Sequence, residues 1–169
     1  FAMLLAAEGG YQAALMAPTE LLAEQHARKL TEWLQPLGLD VVLLTGSLSA
    51  GARREALESI ETGQVRIVVG THALIQDTVS FARLVPVVVD EQHRFGVRQR
   101  MALVEREGLR PDVLVMSATP IPRSLAMTLY GDLDLSVIDE LPPGRKPIET
   151  VLKTPDDRES VYSFVDEQL

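Results

Sequence analysis

The tetrapeptide Asp90-Glu91-Gln92-His93 follows the apolar run Val87-Val88-Val89. A strand ending there would deliver two neighbouring carboxylates to one edge of a sheet. Such a pair can divide labour, one acid holding a hydrated magnesium ion on nucleotide phosphates while the other orients or deprotonates the attacking water. The plain alternative is an exposed acid pair in the loop after a strand, and for a bare Asp-Glu dipeptide it is the commoner case. Gln92 and His93 move the balance toward chemistry. A zinc site is not expected, because His26 and His72 sit on other segments and no two histidines have the close helical spacing of a metalloprotease motif. A second loaded segment is Ser117-Ala118-Thr119-Pro120, which on local sequence alone reads equally well as a strand-to-helix turn with an N-cap.

The elements that must position these residues follow from periodicity. Five short runs rich in Val, Leu and Ile, over 13–17, 41–45, 66–69, 86–90 and 112–117, are nearly continuous in apolar character, as strands buried on both faces are. Segments of helical period separate them. Leu22, His26, Leu30, Trp33 and Leu37 share one face after Thr19, a candidate N-cap, and Gly38 closes the turn. Further helices are expected over 52–61, 97–107 and 122–130, with one short helix after Thr71. The predicted class is α/β, a parallel sheet with helices on both faces.

In such sheets ligands bind outside the carboxyl ends of the strands. Those ends carry Ala17-Pro18-Thr19-Glu20, Thr45-Gly46-Ser47, Gly70-Thr71-His72, Asp90-Glu91-Gln92-His93 and Ser117-Ala118-Thr119-Pro120. The opening residues Phe1 to Ala7 read as the tail of a helix stopped by Gly9 and Gly10, with no start signal before it. Leu141-Pro142-Pro143-Gly144-Arg145-Lys146-Pro147 breaks all periodicity, so a domain boundary is placed at 144/145. Beyond it Thr154-Pro155-Asp156-Asp157 offers an N-cap, a proline at the first helical position and acids in the first turn. Val161, Phe164 and Val165 follow at helical spacing.

Composition bounds the function more loosely. The 169 residues carry 16 Lys and Arg against 24 Asp and Glu, a net charge of −8, so the whole chain has no general attraction for a polyanion. Arg94, Arg98, Arg100, Arg106 and Arg110 nevertheless cluster, while acids crowd the carboxyl end. The chain has no cysteine, no apolar run long enough to span a membrane and no basic stretch ahead of an apolar leader. A cytoplasmic location without membrane partners is the resulting expectation.

The segments over 17–26, 70–76, 90–97 and 117–123 closely resemble, in this order along the chain, the first RecA-like motor domain of a superfamily 2 DNA helicase. The stretch from Tyr130-Gly131-Asp132-Leu133-Asp134 to Leu141-Pro142-Pro143-Gly144-Arg145 carries the resemblance beyond the general superfamily pattern. It implies ATP and Mg2+ as substrate and cofactor. Asp90 would hold magnesium through water, and Glu91 would position or activate the attacking water. Gln92 and His93 would report the nucleotide state to the coupling segment Ser117, Ala118 and Thr119, in which the hydroxyls of Ser117 and Thr119 can exchange partners while moving little bulk. Pro18, Thr19, Glu20, Gly46, Ser47, Thr71 and His72 would line a nucleic-acid face on which backbone amides at a helix start hold phosphate without a lysine or arginine. Arg94 and Arg123 could extend it or form ion pairs within the domain.

The same resemblance implies branched DNA, junctions or forks, as the partner of the full-length protein, in recombination and repair. It divides the chain into a first motor domain over 1–144 and a linker with the start of a second motor domain over 145–169. A helicase of this kind needs a Gly-rich loop ending in Gly-Lys-Ser or Gly-Lys-Thr, and no glycine here is followed by lysine. The resemblance puts that loop immediately before Phe1, so the chain alone is expected neither to hydrolyse ATP nor to unwind DNA. A transcription-repair coupling translocase shares several of these segments, although Gln92-His93 and Leu-Pro-Pro-Gly-Arg favour the junction-processing branch. A non-catalytic scaffold that keeps the motor fold is a further alternative. A Rossmann-like metabolic protein is disfavoured, since no Gly-x-Gly-x-x-Gly follows the first strand.

Overall fold

The computed structural model describes residues 1–91, 111–118, 134–140, 144–145, 148 and 150–168. Gln92, His93, Arg94, Thr119 and Arg123, and the helices expected over 97–107 and 122–130, lie outside the described residues. The chain divides into two compact units, Phe1–Ile121 and Pro122–Leu169. The sequence boundary at 144/145 rests on the loss of periodicity at the prolines.

The first unit is built on five parallel strands: β1 (Gln12–Met16), β2 (Val41–Leu44), β3 (Ile67–Gly70), β4 (Leu84–Val89) and β5 (Asp112–Val115). Their order is β2-β3-β1-β4-β5, which puts β1 at the centre, paired with β3 on one side and β4 on the other. The two-residue alternation of a strand sorts its side chains between two cores. Ala14 and Met16 of β1, Val68 of β3 and Val87 and Val89 of β4 face one core, shared with Ala56 and Ile60. Ala13, Leu15, Ile67, Val69 and Val88 face the other, shared with Met3, Ala7, Ala23 and Ala27. A sheet covered on both sides thus explains why its strands read as unbroken apolar runs.

Among the described residues, three helices cover it: α1 (Ala2–Glu8), α2 (Glu20–Leu34) and α3 (Ala50–Glu61). Helix α1 ends at Gly9, and Gly10 follows in the left-handed region with φ 82°. Helix α2 starts on the Thr19 hydroxyl, which accepts the Leu22 N–H at 3.3 Å, and α3 starts likewise on Ser49. After a 3-10 turn over Gln35–Leu37, Gly38 closes the α2 segment with φ 74°. The helix after Thr71 is a 3-10 turn over His72–Ile75.

Two sequence expectations are corrected. The face of α2 against the sheet is centred on Ala23, Ala27 and Leu34, while Trp33 and Leu37 are exposed and the Lys29 ammonium sits 5.3 Å from the Trp33 ring centre. Small alanines let the helix approach the sheet closely, which rotates the bulkier residues to its flank. Strand β4 begins at Leu84, two residues before the expected start, because the register slips between Gln12 and Ala14 and accommodates Pro86, which has no N–H for the ladder.

The amino end of β1 is fastened by one buried amide. Gln12, 1% exposed, donates to the carbonyls of Ile60 at 2.9 Å and Val65 at 3.0 Å and accepts the Arg83 N–H at 3.1 Å. It ties the central strand to the connection into β3 and the lead into β4. Such a buried amide is tolerated because its polar atoms are satisfied.

In the second unit, Thr154 and Asp157 form a capping box around the 3-10 turn Pro155–Asp157, which leads into helix α4 (Arg158–Gln168). The backbone N–H and hydroxyl of Thr154 both donate to Asp157 and hold its carboxyl below the usual range. Among the described residues, no helix is long and apolar enough to cross a membrane.

Candidate functional site

Strand order decides which loops become neighbours at the carboxyl edge of the sheet. Because β2, β3 and β1 are adjacent, the loops bearing Gly46 and Ser47, Thr71 and His72, and Pro18, Thr19 and Glu20 share one half of that edge. The other half belongs to β4 and β5, followed by Asp90 with Glu91 and by Ser117 with Ala118. The halves meet between β1 and β4.

On the first half, the loops after β1 and β2 are fastened to each other. The Glu20 carboxylate accepts the Ser47 N–H at 3.1 Å, and the Thr45 and Ser47 hydroxyls lie 3.1 Å apart. A Cβ added to exposed Gly46 would come within 3.3 Å of the Glu20 carboxylate, so glycine leaves room for this latch. Pro18 is half-buried; Thr19 is exposed, its hydroxyl engaged in capping α2. Gly70 ends β3 under a tight constraint, since a Cβ there would run into the Leu44 carbonyl and lie 2.9 Å from the Leu74 side chain. Thr71 follows, its N–H donating to the Leu44 carbonyl at 3.3 Å. Its side chain is 1% exposed and its hydroxyl has no partner among the described residues. His72 is exposed.

On the second half, β4 carries Asp90 to the sheet edge by continuing the ladder, the Asp90 N–H donating to the Met16 carbonyl at 2.9 Å. Both oxygens of its carboxylate are held. Oδ1 accepts the Glu91 N–H at 2.9 Å, and Oδ2 lies 2.8 Å from His26 Nε2. The carboxylate is 21% exposed and the imidazole 31%, so the contact is sheltered but open to a ligand. An ionised carboxylate only accepts, so Nε2 carries the shared proton. Glu91 takes φ 49°, a left-handed conformation uncommon outside glycine and associated with functional turns. The turn directs the Glu91 amide back onto Asp90.

Ser117 is half-buried and Ala118 exposed beyond β5, the strand paired with β4. Gln92, His93 and Thr119, the remaining site residues read from the sequence, fall outside the described residues. The structure adds two features that the sequence reading lacked: the Glu20 latch and the approach of His26 to Asp90 across 64 residues of chain. His26 carried a legible signal, being a polar residue within the predicted apolar stripe of α2, but spacing could not name its partner.

Comparison with known proteins yields consistent matches. The profile of the DEAD/DEAH box helicase family matches residues 1–128. The ATP-dependent DNA helicase RecG of Synechocystis sp. is 59% identical over 165 residues, covering 98% of this chain and 20% of that protein. RecG of Aquifex aeolicus is 53% identical over 167 residues, covering 98% of this chain and 21% of its own length. The chain thus spans about a fifth of the length of these relatives. A solved structure of RecG bound to a three-way DNA junction superposes with a TM-score of 0.81 at 45% identity, over 97% of this chain and 22% of that one. The helicase Lhr of Mycobacterium smegmatis shares the fold, with a TM-score of 0.56 at 21% identity over 68% of this chain and 16% of that one.

Proposed function

Since the chain belongs to the DEAD/DEAH box helicase family, we propose that it is the first motor domain of a RecG-like DNA helicase, coupling ATP hydrolysis to movement on branched DNA. Residues 1–144 form that domain in this reading, and 145–169 form the link to the next. The observation that carries the proposal is the Asp90–Glu91 turn, where one carboxylate is immobilised by two donors and the adjoining one follows at a left-handed residue. No glycine among the 169 residues is followed by lysine. Turnover therefore belongs to a polypeptide that supplies the phosphate-binding loop together with this domain.

The residues fit a magnesium ion. Asp90 is sheltered and oriented, and each of its oxygens retains acceptor capacity beyond the single contact described, which suits a hard cation that keeps most of its waters and takes few carboxylates. Bound through water to Asp90, the ion would neutralise charge on the phosphates of ATP. In this reading Glu91 accepts a proton from, or orients, the water that attacks the terminal phosphate. Ser117 and Ala118, which follow the strand next to β4, belong with Thr119 to the segment that relays the result, the hydroxyls of Ser117 and Thr119 exchanging hydrogen bonds with Gln92 and His93 as their counterparts.

The other half of the edge, Pro18, Thr19, Glu20, Gly46, Ser47, Thr71 and His72, is the proposed nucleic-acid face. Amides at the start of α2 and the exposed Gly46–Ser47 turn can meet a phosphate backbone without reading bases. Thr71 contributes as a support for this loop, through its N–H on Leu44, because its hydroxyl is buried. The similarity to RecG proteins favours this reading over a transcription-repair coupling translocase.

The test is Glu91→Gln in the full-length helicase. DNA-dependent ATP turnover should fall by roughly a hundredfold or more, the range for losing a general base, while DNA binding persists. Turnover close to wild type would remove Glu91 from the role.

A further inference from the structure

We propose that His26 is a positioning residue for Asp90, and that through it helix α2 joins the nucleic-acid half of the sheet edge to the nucleotide half. The inference rests on the functional reading above. It starts from the one of the two Asp90 contacts that comes from another element. His26 Nε2 meets Asp90 Oδ2 at 2.8 Å where β1 and β4 adjoin, the border between the two halves.

Asp90 has only two oxygens, and Oδ1 is held by the amide of the next residue, which moves with it. His26 is thus the described contact that fixes the carboxylate from a different element. The strand delivers Asp90 to the edge; the imidazole sets how its carboxylate is turned.

The element that carries His26 gives the contact its second meaning. Helix α2 is 15 residues long, is capped by Thr19, and packs on the sheet through Ala23, Ala27 and Leu34. Its first residue, Glu20, holds Ser47 of the neighbouring loop. His26 lies seven positions after Thr19, about 10 Å along a helix that moves as one rod. Thr19, Glu20 and Ser47 belong to the proposed phosphate-contacting surface. Any displacement of α2 that accompanies strand binding is therefore felt at Oδ2 of Asp90. Hydrogen-bonded partners behind a metal ligand fix its orientation, and their removal typically weakens metal affinity about tenfold or more.

The experiment uses full-length helicase with His26→Ala, His26→Gln, Asp90→Asn and the His26→Ala/Asp90→Asn double variant. The first readout is the magnesium concentration needed for half-maximal binding of a fluorescent ADP, without DNA and without turnover. His26→Ala should raise it by roughly tenfold. His26→Gln, whose amide can still donate to the carboxylate, should restore most of the loss. The double variant should be no worse than Asp90→Asn, because His26 acts on magnesium only through the Asp90 carboxylate. The second readout is the ratio of DNA-stimulated to basal ATP turnover, which should fall in His26→Ala and recover in His26→Gln.

A magnesium requirement unchanged in His26→Ala, or effects of the two changes that simply add, overturns the positioning role. An unchanged stimulation ratio overturns the link through α2. Either result, in a helicase that Glu91→Gln still silences, refutes this inference alone. Retained turnover in Glu91→Gln refutes the underlying assignment instead.

Discussion

At the amino ends of the strands, Gln12 is sealed from solvent with its donors and acceptor engaged, tying together three stretches of chain. At the carboxyl ends of the same sheet, the polar groups are half-exposed or strained. Asp90 leans on a histidine from another element, Glu91 adopts a left-handed backbone, and Thr71 buries a hydroxyl without a partner among the described residues. Satisfied polar groups in a sealed place serve stability, whereas polar groups held at some energetic cost near solvent mark a site where ligands complete the bonding. One end of the sheet holds the domain together, and the other is the end to which the proposed chemistry is assigned.

The hundredfold loss of turnover expected of Glu91→Gln is the largest effect that follows from this contrast, and it should leave thermal unfolding of the domain nearly unaltered. Gln12→Leu should do the reverse. Stranding the Ile60 and Val65 carbonyls and the Arg83 N–H should destabilise the domain by about 2–3 kcal/mol, read as a lower midpoint in thermal unfolding of the full-length protein. The turnover of molecules still folded should be close to wild type.

Glu20→Gln sharpens the picture at the functional end. The substituted side chain can still accept the Ser47 N–H but carries no charge, so DNA should bind a few-fold more tightly at low salt, with the gain shrinking as salt rises. Affinity that does not respond would move the DNA path away from Ser47. The smallest effect lies outside both ends. Hydrogen bonds from Thr154 depress the Asp157 carboxyl, so its contribution to the start of α4 is present above the unfolded aspartate value and is lost as pH falls through the lower folded value. Amide exchange in the first turn of α4 should accelerate in acid for the wild type, and Asp157→Asn should exchange faster at neutral pH.

Local rules made much of the fold legible. The unbroken apolar runs located each of the described strands to within a few residues because the sheet is covered on both faces. Thr19 and Gly38 announced the limits of the α2 segment through their own chemistry, a capping hydroxyl and a left-handed glycine. Pairwise geometry was not legible. The rotation of α2 onto Ala23 and Ala27 depends on how closely a small residue lets a helix approach, and the slip that seats Pro86 depends on its neighbour strand. In the site, types and order pointed to Asp90 and Glu91, but the two contacts that organise it, Glu20 to Ser47 and His26 to Asp90, span 27 and 64 residues. No spacing rule reaches so far.

The separation of the two ends is tested most directly by measuring DNA-dependent ATP turnover and the thermal midpoint on the same full-length helicase carrying either Glu91→Gln or Gln12→Leu. The account predicts a crossed result, with turnover abolished and the midpoint kept in the first, and the midpoint lowered with turnover kept in the second. A Glu91→Gln protein that turns over ATP normally but melts early would contradict it.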